Sequence, residues 1–521
     1  MELRNSRLPM DRILSVIGSV RRKGVHLWAE NGQLRYKAPR GALTPEELAQ
    51  LARSRSEIVD LLERNADAEL SEPRLLARTS RDRAPLSFAQ LAHWRLYDLR
   101  DQPSFCLGVA AVRLQGKLNV TALRGSIREM VRRHEVLRTR VIVENDEPVQ
   151  VIAESCDLEL VVSDLTQLPE EAREAEVSRI TEAAVLLPID ISSEPLARLK
   201  LLKLFEEEHI LVLVMEHIIT DQFSVNVLLR DIFTGYKQAL QGRPFAFPNM
   251  PMQLSDYAVW QRSTHQAWLE RHGPYWHERA ERYAALRLPS DLQLQISTHR
   301  HWGSARVHID RSGTEELSQW CRGRGTTLVM GAFTAYVALI LRWCAVSRGV
   351  FLYQWNGRTS AGMENSLGYF ASALYVYAEL AESGNFLDLL QCLTEEYCKA
   401  YEHADYSYWE AQVNPPEFTR NTCFNWLSRN PGLPVESGEG LPVDLVCSKF
   451  PLSPTIRNQL GRDTEPYMAL GEHGDVILGA WNYPSHRFSS GLAERIRNCY
   501  SVFLQEMIRN PQRPIRELQV L

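Results

Sequence analysis

The chain has 521 residues, 45% hydrophobic and 24% charged, with a formal net charge of −5. That length exceeds one ordinary core and calls for about three packing units with the composition of a globular protein. The small net charge gives no global field for nucleic acid or an anionic membrane, no apolar run spans a bilayer, and the opening MELRNSRLPMD lacks the apolar segment of a signal peptide, so the expectation is a cytoplasmic protein. The nine cysteines form an odd, unclustered set without CxxC spacing, which reads as free thiols in a reducing compartment and no zinc site.

Residues 1–66 read as a small unit. Apolar residues recur at helical spacing over 10–20. VHLWAE (25–30) and QLRYKA (33–38) alternate around Asn31-Gly32, a pair suited to the type I′ turn of a hairpin. Thr44 and Pro45 open a helix with Glu47 closing a capping box, and a helix over 55–64 turns Ile58, Val59, Leu61 and Leu62 inward. The pattern is α-β-β-α-α. On or near its hairpin stand Arg21, Arg22, Lys23, Arg35, Lys37 and Arg40. These form either a solvated basic face or the wall of a groove where an acidic peptide adds a strand to the hairpin edge.

Residues 67–84 are polar, mixed in charge and weakly patterned, as a linker is. From 85 the pattern predicts a helix opened by Ser87, a strand over 108–115 and an amphipathic helix over 120–131. Strands over 141–143 and 158–162, an acidic helix over 170–184, and a hairpin of 199–205 with 209–215 follow. The second half predicts a strand over 302–309, helices over 313–323 and 327–346, and a strand over 349–355 running into Asn356, Gly357 and Arg358. A helix over 386–403, strands over 422–427 and 475–481, and a closing helix over 489–508 complete it. Mixed hairpins and helices indicate an α/β protein with mixed layers, in two halves of about 200 residues each.

The chain is organised around HILVLVMEHIITD (209–221). Its near-continuous apolar run is that of a buried central strand. The run ends on Glu216 and His217, Asp221 follows, and Ser224 is placed to cap the next helix. An imidazole at a strand end, beside a helix start and two carboxylates, suits a general base or a substrate-orienting group. It also suits a satisfied core histidine. No Walker loop, GxGxxG after a strand, GxSxG or HExxH offers a competing chemistry.

Two family resemblances rest on these stretches. GVHLWAENGQLRYKAPRGALTPEELAQL, closed by SEIVDLLER, resembles the TubC-type N-terminal docking domain of modular megasynthases. That resemblance implies capture of the C-terminal tail of an upstream synthase subunit, with Arg22, Lys23, Arg35 and Lys37 as candidate contacts. Residues 85–521 are similar to the condensation domain of nonribosomal peptide synthetases. The motifs are SFAQLAHW (87–94), RHEVLRTR (133–140), EHIITDQ (216–222) in place of HHxxxDG, SDYAVWQR (255–262), NGR (356–358) with LGYFASAL (367–374), and HADYSYWE (403–410), in that order.

The second resemblance implies two chloramphenicol-acetyltransferase-like lobes arranged as a V, here 85–265 and 266–521. A tunnel between them would admit donor and acceptor, each a phosphopantetheine thioester on its carrier protein, and the domain itself would bind no cofactor and no metal. The acceptor amine attacks the donor thioester to give an amide. His217 is the implied catalytic residue. Asp221 is implied as structural, paired with an arginine; Arg358 is the candidate, or else a surface charge. The closing NPQRPIRELQVL resembles the exit into an adenylation domain, so the chain reads as a piece of a longer protein.

Three departures matter. Glu216 replaces the first histidine of the signature, where it would raise the imidazole's pKa or else turn into a polar network. Gln222 replaces its glycine, adding bulk and a backbone cost beside the tunnel. Ala371-Ser372-Ala373 stands where the fifth motif has Val-Asn-Thr. Glu216, Asp221 and Ser224 also spell ExxxxDxxS, close to the DxxxxDxxS of heterocyclisation domains. Amide formation, a specialised reaction of the same fold (cyclisation, dehydration or ester formation), and a degenerate domain that binds or gates carriers all stay open.

Overall fold

The strand Glu208–Glu216 is the axis of the first half, and every residue of it after Glu208 is buried. The computed structural model to which it belongs describes residues 26–30, 33–37, 43, 45–56, 58–59, 78, 80–98, 107–250, 252–281, 286, 288–292, 302–358, 363–404, 422–427, 446–449 and 466–519. Neighbours on both sides satisfy the axis strand's backbone. Leu107–Gln115 and Ala197–Phe205 both pair with it antiparallel, and Leu160–Asp164 joins the latter in parallel. A buried strand with partners on both sides needs no polar face, which is why its run is unbroken Ile, Leu and Val. The helices Val120–Arg133 and Gln222–Leu240 pack on this sheet through Leu123, Ile127, Met130, Val225, Leu229 and Ile232. A smaller sheet orders Arg83–Pro85, Glu147–Ile152 and Thr139–Glu144.

The second half is a six-stranded sheet in the order Trp302–Ile309, Val476–Pro484, Tyr467–His473, Cys423–Trp426, Arg348–Trp355 and Ser372–Glu379. Cys423–Trp426 pairs in parallel on both sides. The helix Leu328–Trp343, capped by Thr327, is apolar almost all round because it is buried among the sheet and the helices Phe386–Glu402 and Ser490–Arg509.

Among the described residues several connections tie the halves together. Val446–Lys449 returns from the second half to pair with Leu107–Gln115 at the edge of the first sheet. Met363, Leu367 and Phe370 insert into the first core. The helix Leu254–Glu281 runs through 265 and 266, where the lobe boundary was expected, and its Trp268 packs against both cores. Arg78, from the segment expected as a linker, buries its side chain and binds Glu135 and Asp256 at 2.7 Å each.

The structure departs from the sequence reading in several elements. Glu147–Ile152 pairs with Thr139–Glu144 through Asn145 and Asp146, both at positive φ. Asn and Asp tolerate that region and so make a tight turn without glycine. The helix after the central strand begins at Gln222, not Ser224, and its cap is Asp221, whose side chain accepts from the Ser224 backbone. The first expected helix, Asn31-Gly32, Arg22, Lys23 and residues 405–410 of the sixth motif lie outside the described residues. No helix among the described residues is long and apolar enough to cross a membrane.

The bridging helix carries a pH-sensitive contact. His272 stacks on Trp268, and its Nδ1 lies 2.7 Å from Nδ1 of His403, the C-cap of Phe386–Glu402. Two nitrogens at that distance share one proton, so neither ring accepts a second there. Burial, with the nearby His403 and Arg271, pushes His272 from 6.5 down to about 4. A folded pKa below the unfolded one means that stability holds above the unfolded value and is lost as pH falls. The melting temperature is expected to fall as pH drops from about 6.5 toward about 4, and to fall less in His272→Phe; parallel profiles for the two proteins would contradict this.

Candidate active site

His217 opens a short 3-10 turn, His217–Ile219, where the central strand leaves the core, and it is partly exposed while Ile218 and Ile219 are buried. That placement follows from the sequence: two isoleucines anchor the turn and leave the imidazole at its rim. The turn is held from two sides. On one side, Gln90 donates from Nε2 to the Ile218 carbonyl at 3.0 Å and to Gln150 at 3.2 Å. Gln90 also closes a reciprocal cap with Ser87 at the start of Phe88–Asp98, so the first motif positions the turn.

On the other side stands Asp221. Its carboxylate accepts from the Ser224 backbone at 2.7 Å, from the Phe370 and Ala371 backbones at 3.2 Å each, and from Arg358 at 2.8 and 3.2 Å. Arg358 also donates to Ser224 Oγ at 2.9 Å and to the Asn356 carbonyl at 3.0 Å. Its guanidinium lies between the rings of Phe223 and Phe370, 4.4 and 4.7 Å from their centroids. Both side chains of the pair are 3% exposed. Burial alone would raise the Asp221 carboxyl, but the Arg358 charge and hydrogen bonds outweigh it and hold the group below its ordinary value. Ser224 Oγ donates to the Gly368 carbonyl and accepts from the Gly368 backbone, so one hydroxyl bridges the two halves. Gly357 has φ +67°, and a Cβ there would stand 1.7 Å from the Phe370 carbonyl oxygen, so only glycine lets Arg358 reach inward.

The structure thus brings Asp221, Ser224 and Arg358 into one clamp. Glu216 is not part of it. Its side chain is fully buried and lies on the side of His93, 3.9 Å away. Burial pushes its carboxyl well above the usual carboxylate range, with the His217 backbone N–H opposing. The burial that raises it favours the neutral form of the carboxyl. Of the two placements open from the sequence, beside the imidazole as a charge or turned into a polar network, the side chain lies toward His93. Gln222 occupies the first helical position, exposed, with no positive φ, so the expected backbone cost is absent. Ala371 contributes its backbone N–H, a role that does not depend on its side chain.

The second motif is scaffold. His134 is buried 3.2 Å from Asp231 on Gln222–Leu240, and Glu135 receives Arg78 and Ser255. Sequence reasoning passed over His93 and Tyr369, which surround His217. The ring centroids of His217 and Tyr369 are 4.8 Å apart, and those of His217 and His93 are 5.6 Å apart. The available signal was an imidazole inside SFAQLAHW and a tyrosine inside LGYFASAL. Arg35 lies exposed on the hairpin strand Gln33–Lys37, which also ends on Lys37. Among the described residues no group of three or more His, Cys, Asp or Glu side chains is placed to hold a metal ion.

The comparisons agree with this architecture. The condensation domain matches residues 80–421, and the TubC N-terminal docking domain matches residues 13–64. The chain is 28% identical over 415 residues to tyrocidine synthase 3 of Brevibacillus parabrevis, covering 78% of this chain and 6% of that protein. It is 25% identical over 448 residues to surfactin synthase subunit 1 of Bacillus subtilis (strain 168), covering 84% and 12%. The chain therefore spans only a small part of these relatives. In fold it is similar to the X-domain in its complex with OxyB from teicoplanin biosynthesis (TM-score 0.73, 23% identity, 87% of this chain and 99% of that one). It is also similar to the first condensation domain of the calcium-dependent antibiotic synthetase (TM-score 0.69, 16% identity, 85% and 100%). The α/β fold is the two-lobed, chloramphenicol-acetyltransferase-like one, and the chain belongs to the condensation-domain family of nonribosomal peptide synthetases, with a TubC-type docking domain at its N-terminal end.

Proposed function

We propose that this domain joins a carrier-bound acyl or peptidyl thioester to the amine of a carrier-bound aminoacyl acceptor. The amine nitrogen attacks the thioester carbonyl, the carbon–sulfur bond breaks, and the phosphopantetheine thiol of the donor carrier leaves with the proton that the amine gives up. His217 holds the amine in line and takes its proton. The observation that carries this reading is a partly exposed imidazole on a turn clamped by Asp221–Arg358 and by Gln90. Phosphopantetheine enters as part of both substrates on their carriers, and no metal takes part. An adjoining adenylation domain would load the acceptor carrier.

The ExxxxDxxS spelling gives less support to cyclisation. Asp221 and Ser224 are taken up by Arg358, while Glu216 faces His93, so the three do not act on one point. Intact mass of the acceptor carrier after incubation with a loaded donor separates amide formation from cyclisation, dehydration and binding alone, and stability of the product to mild base separates it from an ester. Amide formation adds the acyl group alone, cyclisation or dehydration loses a further water, and a binding-only domain leaves the acceptor mass unchanged. Either of the last two results would overturn the proposal.

The docking domain, on this reading, captures an acidic C-terminal tail of an upstream subunit with Arg22, Lys23, Arg35 and Lys37. Charge reversal of Arg35 and Lys37 together is expected to weaken tail binding about tenfold or more at low salt, with a smaller effect at high salt. Unchanged, salt-independent affinity in a titration would remove these residues from the interface.

A further inference from the structure

Behind the turn that carries His217 lies a group of side chains that the transfer as described leaves unused. Glu216 is 0% exposed, yet no side chain among the described residues donates a hydrogen bond to either carboxyl oxygen. His93 Nε2 stands 3.9 Å from Oε1, and His93 is 5% exposed. His93 follows Gln90 by three residues on the helix Phe88–Asp98, so both lie on one helix face. That face meets the catalytic turn twice: Gln90 bonds the Ile218 carbonyl, and the His93 ring contacts the His217 ring. Tyr369 closes the group, its ring centroid 5.6 Å from that of His93 and 4.8 Å from that of His217.

A buried carboxyl has two ways to exist here. As an anion it needs a cation or several donors, as Asp221 has in Arg358 and three backbone N–H groups. Among the described residues Glu216 has no such set. As a neutral acid it is a hydrogen-bond donor, and a neutral imidazole nitrogen is an acceptor. A movement of about 1 Å brings 3.9 Å to a normal O–H···N bond. Burial raises the Glu216 carboxyl, which favours its protonated form beside the imidazole.

We propose that Glu216 and His93 form a buried acid–imidazole pair that fixes the ring of His217, so that His93 is a positioning residue for the transfer. The pair has no net charge, with one proton between Oε1 and Nε2, and it therefore sits in the core without a counter-ion. Here the imidazole that the signature offers at 216 is supplied from another element. The inference rests on His217 as the transfer residue, so its test includes a readout that does not need transfer.

Infrared spectra at neutral pH are expected to show the C=O stretch of a protonated carboxylic acid that Glu216→Gln removes and His93→Leu shifts. The ring resonances of His217 in NMR spectra, identified by their loss in His217→Ala, should move in His93→Leu and Glu216→Ala. They should return toward the wild-type positions in Glu216→Gln, which keeps a neutral donor. In the transfer assay His93→Leu should lower kcat about tenfold while KM for the acceptor carrier stays within about twofold, and Glu216→Gln should recover most of what Glu216→Ala loses. Should His93→Leu fail to fold, the polar His93→Gln takes its place in each measurement. Absence of the acid band, or His217 resonances indifferent to both partners, would overturn the pair. If bands and resonances behave as stated and no variant, wild type included, transfers an acyl group, the pair stands and the transfer reading falls.

Discussion

Arg358→Met is expected to destabilise the protein by about 3–5 kcal/mol, because it strands a buried carboxylate without its counter-charge. Asp221 and Arg358 are each 3% exposed and come from positions 137 residues apart, so the bond closes one half of the molecule on the other. Removing the guanidinium also empties the slot between Phe223 and Phe370 and releases Ser224. The double change Asp221→Asn with Arg358→Met should cost clearly less than the sum of the two single changes, since it leaves no unpaired charge. Denaturant unfolding of the four proteins gives the cycle. Additive losses would mean that the two groups do not depend on one another and that the clamp is not what holds the turn. The same pair sets an acid limit. Asp221 is held below its ordinary 3.8, so the contribution of the pair is present above that value and fades as pH falls through the lower folded one.

His217→Ala is expected to lower acyl transfer by about 10²–10³-fold, the range that one positioned acid–base group supplies. Stability should change by less than about 1 kcal/mol, since the ring is partly exposed and the turn is anchored by Ile218 and Ile219. The contrast with Arg358→Met separates the two roles, because one variant should keep its fold and lose its chemistry while the other loses both. Wild-type turnover in a well-folded His217→Ala protein would remove the imidazole from the mechanism and leave orientation by the walls of the site as its basis.

Much of this was legible in the chain because the decisive features are local. A buried strand with a partner on each side has to be apolar throughout, and HILVLVM says so without any partner in view. The cap box of Phe88–Asp98, Ser87 with Gln90, lies within four residues of its helix. Other features depend on neighbours far away in sequence. In Glu147–Ile152 the buried positions are Pro148, Gln150 and Ile152, while Val149 and Val151 are only half-buried. The polar Gln150 is inside because Gln90 and the Pro85 carbonyl meet it there, so the usual alternation is inverted. Ser224 has the composition of a cap, yet Asp221 caps the helix, because Arg358 and two backbone N–H groups fix the carboxylate at that spot. Glu216 reads from sequence either as a charge beside His217 or as part of a polar network, and only the fold shows that its side chain is fully buried on the side of His93. His93 and Tyr369 belong to separate motifs, and nothing in either motif tells that their rings meet around one imidazole.

The central claim is that an imidazole on a clamped turn drives amide formation despite the altered signature around it. A single-turnover assay tests this most directly, with donor-loaded and amino-acid-loaded carriers mixed with wild type or His217→Ala and followed by intact mass. The account predicts that the acyl group appears on the acceptor carrier in wild type, without further loss of water, and at least about 10²-fold more slowly in the variant. Equal rates in the two proteins, or bound carriers with no transfer by wild type, would contradict it.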